Sequence, residues 1–147
     1  MKIDETNIDI IRELKQGKKS FKKIADKLSI TENTVRSRVN KLQEEGVLDI
    51  CGLVDPAKIP GHRTVIIGIK LSEMNLLEKG EEISKLEGVI SVSVVTGRYD
   101  LLVVVLFKKG FGLLEFYTDE MSKVEGVRSV ETFVVYKSYN LKVPYIL

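Results

Sequence analysis

Residues 31–42 read TENTVRSRVNKL, and the interpretation of the first third of the chain depends on this stretch. Its apolar residues recur at helical spacing: Val35, Val39 and Leu42. Thr31 stands where an N-cap side chain accepts a hydrogen bond from a free backbone N–H of the first turn. On a helical wheel of about 100° per residue, the side chains farthest from the apolar stripe are those of Asn33, Ser37 and Asn40. The stretch therefore predicts a helix with one buried side and one polar side.

The residues before this stretch complete a helix-turn-helix pattern over positions 21–42. A preceding helix has an apolar side formed by Ile24, Ala25 and Leu28. Ala25 is small where the two helices would cross, and Ile30 falls in the turn. An earlier apolar stripe predicts one further helix, capped by Asp4 and formed by Ile8, Ile11 and Leu14. Gly46 is predicted to end the last helix, and residues 47–54 are predicted to form a short strand or ribbon.

The charges are unevenly distributed along the chain. Residues 12–41 hold ten Lys or Arg and three Asp or Glu, whereas residues 61–147 hold eleven of each sign. The overall net charge is only +2. A basic block of this kind suggests a polyanion, such as double-stranded DNA, as the partner of the first part only. The alternative is an ordinary solvated, Lys-rich helix face, and charge alone does not decide between the two.

The composition limits the class of protein. Apolar residues make up 44% and charged residues 30% of the 147 positions, as is typical of a soluble globular protein. A lone cysteine, Cys51, excludes an intrachain disulfide and favours a cytoplasmic location, and a single His makes a zinc site improbable. No apolar run has the length of a membrane span, and the N-terminus has no signal-peptide pattern. We find no nucleophile–base pair and no phosphate-binding glycine loop, so the sequence predicts neither an enzyme nor a cofactor.

The segment DPAKIPG at residues 55–61 interrupts both patterns and predicts a hinge. We therefore predict a DNA-binding domain at 1–54, a hinge at 55–62 and a second domain at 63–147. The second domain shows predicted strands at 63–71, 89–96, 100–107 and 127–139, with helices at 76–86 and 111–124. The order β-α-β-β-α-β predicts a ferredoxin-like domain, and the whole chain is predicted to be an α+β protein.

An internal repeat supports this order. The sequence SKLEGVISV at 84–92 recurs as SKVEGVRSV at 122–130. Each copy is predicted to end a helix, turn at a glycine and begin a strand, as two βαβ-like halves require.

The predicted strand 100–107 is apolar at every position from 101 to 107, so both of its faces need cover. In a ferredoxin-like domain both helices lie on one face of the sheet. The other face would be an exposed apolar patch, and such patches mark interfaces. We therefore predict a homodimer joined through these sheets.

The polar side of the predicted helix 31–42 suits the major groove of DNA. Short polar side chains approach base edges, and Arg and Lys at the margins reach phosphates or guanine. Four lysines precede or open the helix before it, where the DNA backbone would pass. The predicted DNA-binding residues are Lys18, Lys19, Lys22, Lys23, Thr31, Asn33, Thr34, Arg36, Ser37, Arg38, Asn40 and Lys41.

The sequence resembles the Lrp/AsnC, or feast/famine, family of transcriptional regulators over nearly its whole length. The N-terminal resemblance rests on Asp4, Asn7, Ile10, Ile11 and Leu14, the run IADKLSIT at 24–31, and Val35, Arg38, Val39, Leu42, Gly46, Val47 and Leu48. The C-terminal resemblance rests on TGRYD at 96–100, ETFVV at 131–135 and Lys137. One departure is Ser29, which stands where the family usually has Gly in the turn.

The resemblance implies a winged-helix-like DNA reader, a hinge, and a dimerising, effector-sensing RAM domain that often assembles into octamers. It implies a sequence-specific transcriptional regulator responsive to an amino acid or a related metabolite. By similarity, the effector would bind at Gly97, Tyr99, Asp100 and Thr132, with Asp100 pairing an ammonium group. The alternative interpretation is that Gly97 and Asp100 form a hairpin turn and that Tyr99 packs at an interface.

Two other functions share this architecture. The sirohaem decarboxylases resemble Lrp/AsnC proteins, but they are expected to have an Arg-Arg segment after the helix-turn-helix and histidines near the substrate. Here residues 46–52 contain no Arg and the chain has a single His, His62. An architectural DNA-binding protein would differ from a regulator by a low specificity ratio rather than by any particular residue.

Overall fold

The computed structural model describes residues 2–15 and 17–147. The chain divides into two compact units, residues 1–52 and 53–147. Each unit has its own apolar core.

The first unit contains three helices, α1 (Glu5–Leu14), α2 (Phe21–Leu28) and α3 (Glu32–Glu44). The predicted caps are present, since the Asp4 side chain accepts a 2.8 Å hydrogen bond from Asn7 N and Thr31 Oγ1 accepts a 3.1 Å bond from Thr34 N. The apolar sides meet in a core of Ile10, Leu14, Ile24, Ala25, Val35 and Val39. The helix-turn-helix prediction is confirmed.

The turn between α2 and α3 begins at a left-handed residue. Ser29 has φ 55° and ψ 41°, and the chain then closes the helix with a 3.1 Å bond from Ile30 N to Ala25 O. Glycine adopts this backbone conformation without steric strain, whereas a side chain brings Cβ close to the carbonyl oxygen. Ser29 therefore carries the strain expected from its place in the sequence.

The prediction of a strand or ribbon over residues 47–54 is wrong for most of its length. After α3 the chain turns at Gly46, whose φ is +66°, and residues 47–52 have no strand pairing. Only β1 (Leu53–Val54) pairs, and its partner is β6 (Val143–Pro144) of the second unit. Because these hydrogen bonds tie β1 to the C-terminal segment, the first unit ends at residue 52 rather than at 54. Residues 55–62 include a short 3-10 turn, Pro56–Lys58.

The second unit contains a four-stranded antiparallel sheet with two helical segments on one face. Its elements are β2 (Arg63–Leu71), α4 (Leu76–Ser84), β3 (Val89–Val94), β4 (Leu101–Phe107), α5 (Leu113–Glu115) and β5 (Val127–Val134). Helix α5 continues as a π turn over Phe116–Glu120 and a 3-10 turn over Met121–Lys123. The strand order β3-β4-β2-β5 is that of a ferredoxin-like fold, as predicted.

The two repeated glycines have the same role. Gly88 and Gly126 both have φ +79°, and their carbonyls accept hydrogen bonds from Leu106 N at 2.7 Å and from Ser72 N at 2.8 Å. A Cβ at Gly88 would lie only 2.7 Å from the Phe111 ring, so glycine is required there by space as well as by φ.

The sheet has one covered and one open face. Alternate residues of β4, from Leu101 to Phe107, are buried under the helices. On the opposite face Leu102 and Val104 are half-buried and Phe133 is 41% exposed. The predicted strand 127–139 ends at residue 134, where its pairing partner β2 has only two residues left. Beyond that point the chain leaves the sheet, and Tyr136 is fully exposed.

Candidate nucleic-acid interface and effector site

Helix α3 presents the polar side that its sequence predicts. Val35, Val39 and Leu42 are buried, and the opposite side exposes Asn33, Arg36, Ser37, Asn40 and Lys41. Two surface depressions of about 560 Å³ each border this face, and both include Asn33, Ser37 and Lys41. Short side chains at the centre and long cations at the edge match the size and chemistry of a major groove.

Arg36 lies at the margin of this face. Its guanidinium donates a 2.7 Å hydrogen bond to Glu32 one turn earlier and lies 5.2 Å from the centre of the Phe21 ring. Both contacts are exposed, so the guanidinium can exchange Glu32 for a phosphate or a guanine edge at small cost.

Arg38 is held inside the first unit. Its Nη1 donates 2.8 Å hydrogen bonds to both carboxylate oxygens of Asp4 and to Asn7 Oδ1. Asn7 is only 2% exposed, and these bonds hold the middle of α3 against the start of α1. The Arg38 guanidinium, followed by the Asn7 N–H, holds the pKa of Asp4 below its ordinary value. The sequence predicts Arg38 as a DNA-binding residue, whereas in the structure its guanidinium contacts Asp4 and Asn7.

Glu13 forms ion pairs with two of the basic residues. Lys19 Nζ lies 2.5 Å from one carboxylate oxygen, and Lys27 Nζ donates to the other. Hydrogen bonds from Lys19 and then from Lys27 lower the pKa of Glu13 to about 2. The positive charge of Lys19, a predicted phosphate contact, is therefore balanced by the neighbouring Glu13 carboxylate.

Three of the predicted phosphate contacts in the basic block have no carboxylate partner. Within the described residues, Lys18, Lys22 and Lys23 are exposed and have no carboxylate within 4 Å. Thr31 and Thr34 bond to each other through their hydroxyls at 2.8 Å, which occupies them in capping α3. The sequence prediction missed Lys2, which lines the same depression as Asn33 and Ser37. It lies outside every motif, so no pattern could have identified it.

In the second unit, the Asp100 carboxylate forms hydrogen bonds within the fold. Its carboxylate accepts 2.8 Å hydrogen bonds from Lys70 Nζ and from Leu71 N. Lys70 and then Leu71 N hold its pKa below the ordinary value, and its own N–H donates to Ile69 O at 2.9 Å. Asp100 therefore fixes the β3–β4 turn against β2, as the hairpin interpretation required.

Tyr99 lies on the open face of the sheet, over Gly68. A Cβ at Gly68 would be 2.7 Å from the Tyr99 ring, so glycine makes room for the ring. The Tyr99 hydroxyl donates to Glu131, which raises the pKa of Tyr99. Glu131 also accepts from Arg98 at 3.1 Å, and Phe133 meets the Tyr99 ring edge-on.

Thr132 points away from this group. It pairs with Ile67, a residue of the helix-covered core, and its hydroxyl is 2.8 Å from the Tyr117 hydroxyl on the helical layer. Adjacent residues of a strand face opposite sides, so Thr132 and Glu131 diverge. The structure brings Tyr99 to the open side with Arg98 and Glu131 and leaves Thr132 on the other face. Gly97 is an exposed residue of the β3–β4 turn with φ +117°.

Residues 2–15 and 17–147 contain no cluster of three His, Cys, Asp or Glu with a geometry that could hold a metal ion. None of the helices in these ranges has the length and apolar character needed to cross a membrane.

Two family models match the chain. The model described as Lrp/AsnC ligand binding domain matches residues 64–143, and that described as winged helix-turn-helix DNA-binding matches residues 3–49. The chain belongs to the Lrp/AsnC family.

Sequence relatives agree with this assignment. An "uncharacterized HTH-type transcriptional regulator" of Pyrococcus abyssi is 31% identical over 137 residues, which are 92% of this chain and 87% of that protein. The HTH-type transcriptional regulator LrpA of Pyrococcus horikoshii is 28% identical over 130 residues, covering 87% and 92% respectively. This Lrp/AsnC protein is therefore a helix-turn-helix transcriptional regulator, with DNA as the partner of its first unit.

Solved structures share the fold. AsnC of E. coli superposes with a TM-score of 0.71 at 19% identity, covering 96% of this chain and 97% of that one. The regulator NMB0573 of Neisseria meningitidis, solved in complex with L-Met, gives a TM-score of 0.69 at 19% identity and covers 99% and 96%.

Proposed function

We propose that this Lrp/AsnC protein regulates transcription as a homodimer that reads a pseudo-palindromic DNA site with α3 and responds to an amino acid bound by its second unit. The observation that carries the DNA part is the exposed face of α3, where Asn33, Ser37 and Asn40 lie opposite a fully buried apolar stripe. Two such helices in one dimer meet half-sites about one helical turn, or a multiple of it, apart.

Within the interface we divide the predicted residues by role. Base reading belongs to Asn33, Arg36, Ser37, Asn40 and Lys41. Lys18, Lys22 and Lys23, with Lys2, neutralise phosphates, and such contacts position the protein without reading sequence. Thr31 and Thr34 cap the helix, Arg38 positions it, and Lys19 is balanced by Glu13.

The dimer is supported by the open sheet face. Leu102, Val104 and Phe133 leave apolar surface uncovered there in the single chain, and burying it contributes roughly 25 cal/mol per Å² before association costs. Octamers built from such dimers extend the same proposal.

For the effector we keep Gly97 and Tyr99 and replace the other two residues of the predicted site. Asp100 is satisfied by Lys70 and Leu71 N, and Thr132 faces the helices. Arg98 and Glu131 also have partners, since they pair with each other at 3.1 Å, but their side chains are 78% and 42% exposed whereas that of Asp100 is 16% exposed. The carboxylate and ammonium of an amino acid would replace their pairing with each other. The L-Met complex of the Neisseria meningitidis protein supports an amino acid as the ligand class.

Fluorescence anisotropy tests the DNA part. A duplex from upstream of the protein's own gene and a scrambled duplex are titrated at two salt concentrations. We expect the native duplex to bind ~10³-fold or more tighter, with a steep salt dependence. Ser37→Ala should change the preference among base substitutions, whereas Lys23→Ala should weaken both duplexes and reduce the salt slope by about 1.

Equal binding to both duplexes would favour the architectural function instead. Binding to neither would contradict the proposal, and titration with an iron tetrapyrrole would then test the enzyme alternative. We propose that the protein is not an enzyme, because its single His and the absence of Arg from residues 46–52 leave the sirohaem chemistry without its expected residues.

The effector part is tested by calorimetric titration with the twenty amino acids. We expect one or a few to bind, and Glu131→Gln should weaken that binding at least tenfold by removing the charge that pairs the ammonium. Asp100→Asn, which alters a residue used inside the fold, serves as the comparison. If Glu131→Gln bound as tightly as wild type, the assignment of Glu131 would be wrong.

A further inference from the structure

A second cleft lies in the C-terminal unit, at the end of the sheet where β2 begins and β4 ends. Arg63 and Phe107 are paired neighbours there, and the loops that precede β2 and follow β4 meet. The cleft has a volume of about 470 Å³ and its charged lining consists of Arg63, Lys108, Lys109 and Glu115, with His62 beside them.

The cations of this cleft are unneutralised. The second unit has twelve Lys and Arg, and seven of them lie within 4 Å of a carboxylate. Among the described residues the five without such a partner are Arg63, Lys108, Lys109, Arg128 and Lys137. Three of these five line one cleft. Like charges gathered in a concave surface produce a positive potential that attracts anions.

The one acid of the lining does not compensate them. Glu115 turns its carboxylate to the backbone, accepting a 2.8 Å hydrogen bond from Gly112 N. The backbone N–H groups of Glu115 itself and of Gly112 hold its pKa below the ordinary value, so it remains a single negative charge. The three cations and Glu115 together give the cleft a net charge of +2.

His62 is fixed by its neighbours. Nδ1–H donates to Pro60 O at 3.0 Å, and Nε2 lies 3.1 Å from the Tyr145 hydroxyl. These two contacts hold the ring at the cleft wall, and the positive charge of the cleft comes from Arg63, Lys108 and Lys109.

The backbone that carries these cations is held by hydrogen bonds and by aromatic packing. Lys108 and Phe111 exchange two backbone hydrogen bonds, of 3.1 and 3.0 Å, around Gly110, whose φ is +83°. Phe111 is buried and stacks edge-on against Phe107, with ring centres 5.9 Å apart. The first loop closes on this turn, because a Cβ at Gly61 would be 3.4 Å from Lys109 Cβ. The cations are therefore presented by two neighbouring loops.

We propose that this cleft binds a phosphate group, held by Arg63, Lys108 and Lys109. Arg presents a planar pair of donors that suits phosphate oxygens, and the two lysines add point charges around it. The phosphate belongs either to a free metabolite, for which 470 Å³ leaves room beyond the phosphate itself, or to the backbone of bound DNA. The cleft is separate from the Gly97–Tyr99 site, since Arg63 precedes Gly68 by five residues of β2, or ~17 Å.

The test uses two double variants of the full-length protein with equal loss of charge. Lys108→Gln with Lys109→Gln removes two cations of the cleft. Arg128→Gln with Lys137→Gln removes the two cations that have no carboxylate partner among the described residues and lie outside it. Circular dichroism and melting temperature establish that both variants fold like the wild type. If Lys108→Gln with Lys109→Gln fails to fold, Arg63→Gln alone is compared with Arg128→Gln.

The first arm measures binding of inorganic phosphate and of a 5′-nucleoside monophosphate by calorimetry at constant ionic strength. If the cleft binds a free metabolite, the phosphate compound should bind saturably to the wild type. Its affinity should fall at least tenfold in the cleft variant and less than twofold in the control. The second arm measures the salt dependence of DNA affinity. If the cleft binds a phosphate of the DNA backbone, the slope of log affinity against log salt concentration should be smaller in magnitude by about 2 in the cleft variant than in the control.

Either result supports the phosphate site and identifies the source of the phosphate. Wild-type behaviour of the cleft variant in both arms, or equal effects of the two double variants, would overturn the proposal. Neither arm depends on sequence preference, so the outcome is separable from the test of base reading by α3.

Discussion

At the scale of single residues, two arginines of α3 separated by one position have different partners. Arg36 is exposed and held by Glu32 alone among carboxylates of the described residues, whereas Arg38 donates to Asp4 and to the buried Asn7. Both are basic residues on a predicted recognition helix, and the sequence prediction gave both to DNA. Their partners decide which of them is available to a ligand.

We predict that Arg38→Ala lowers the stability of the first unit. Loss of the guanidinium leaves Asn7 Oδ1 buried without its donor, and an unsatisfied buried acceptor costs about 1–3 kcal/mol. DNA affinity should fall because α3 is no longer fixed against α1, but the salt slope should stay near the wild-type value. Thermal unfolding and anisotropy at several salt concentrations measure the two effects.

Arg36→Ala is the matched control on the same helix. It should leave the melting temperature within about one degree of the wild type and change the preference among base substitutions, since it removes an exposed guanidinium that we assign to base reading. If Arg38→Ala changed the salt slope and not the stability, Arg38 would be a DNA contact and its positioning role would be disproved.

Glu13 makes stability depend on pH. Its pKa is lowered from 4.5 to about 2, so between these values the folded protein binds fewer protons than the unfolded chain. The stabilisation by Glu13 is therefore present above about pH 4.5 and is lost as the pH falls towards 2. We expect the wild type to melt above Glu13→Gln at pH 6, with a difference that shrinks between pH 4.5 and 2.

Circular dichroism melts from pH 7 to 2 measure this difference. Lys27→Gln removes one of the two donors and should move the loss to higher pH. A difference between wild type and Glu13→Gln that persisted unchanged at pH 2 would contradict the shifted pKa.

At the scale of elements, periodicity in the sequence predicts the helices, the strands and their order. It could not predict which side chains pair across elements. Arg38 meets Asp4 from 34 positions away, and Thr132 faces the helices because β5 pairs with β2 in a particular register. The strand predicted at 127–139 is too long, because β5 pairs with β2 only as far as Val134 opposite Val65, a limit of the pairing between strands that the pattern of β5 alone does not contain.

The turn between α2 and α3 provides a prediction at this scale. Ser29 has φ 55°, so Ser29→Gly should relieve the steric cost of a left-handed residue and stabilise the first unit by about 0.5–1 kcal/mol. Ser20→Gly, at the other end of α2 with φ −59° and no capping hydrogen bond, is the matched control. It should be neutral or slightly destabilising, because only flexibility is gained there. Urea unfolding measures both variants, and destabilisation by Ser29→Gly would exclude strain at this turn.

At the scale of the whole molecule, the chain separates a basic helix-turn-helix unit from a unit built on a sheet. The first unit exposes short polar side chains on α3 and cations on α3 and around the start of α2, whereas the second unit leaves one apolar sheet face open. A regulator built in this way depends on association, since one recognition helix contacts only a half-site. The association state is therefore the property on which the proposed mechanism rests.

We predict that the wild type behaves as a dimer or a larger assembly and that Phe133→Lys shifts it towards the monomer mass of 16.6 kDa. Phe133 is 41% exposed on the open face, so a lysine there is tolerated in the single chain but places a charge in the proposed interface. Val94→Lys is the control, because Val94 is 45% exposed at the sheet edge and pairs with Leu101 of the helix-covered side. Light scattering at micromolar concentration measures the masses. A monomeric wild type would refute the dimer, and dissociation by Val94→Lys but not by Phe133→Lys would move the interface to the other side of the sheet.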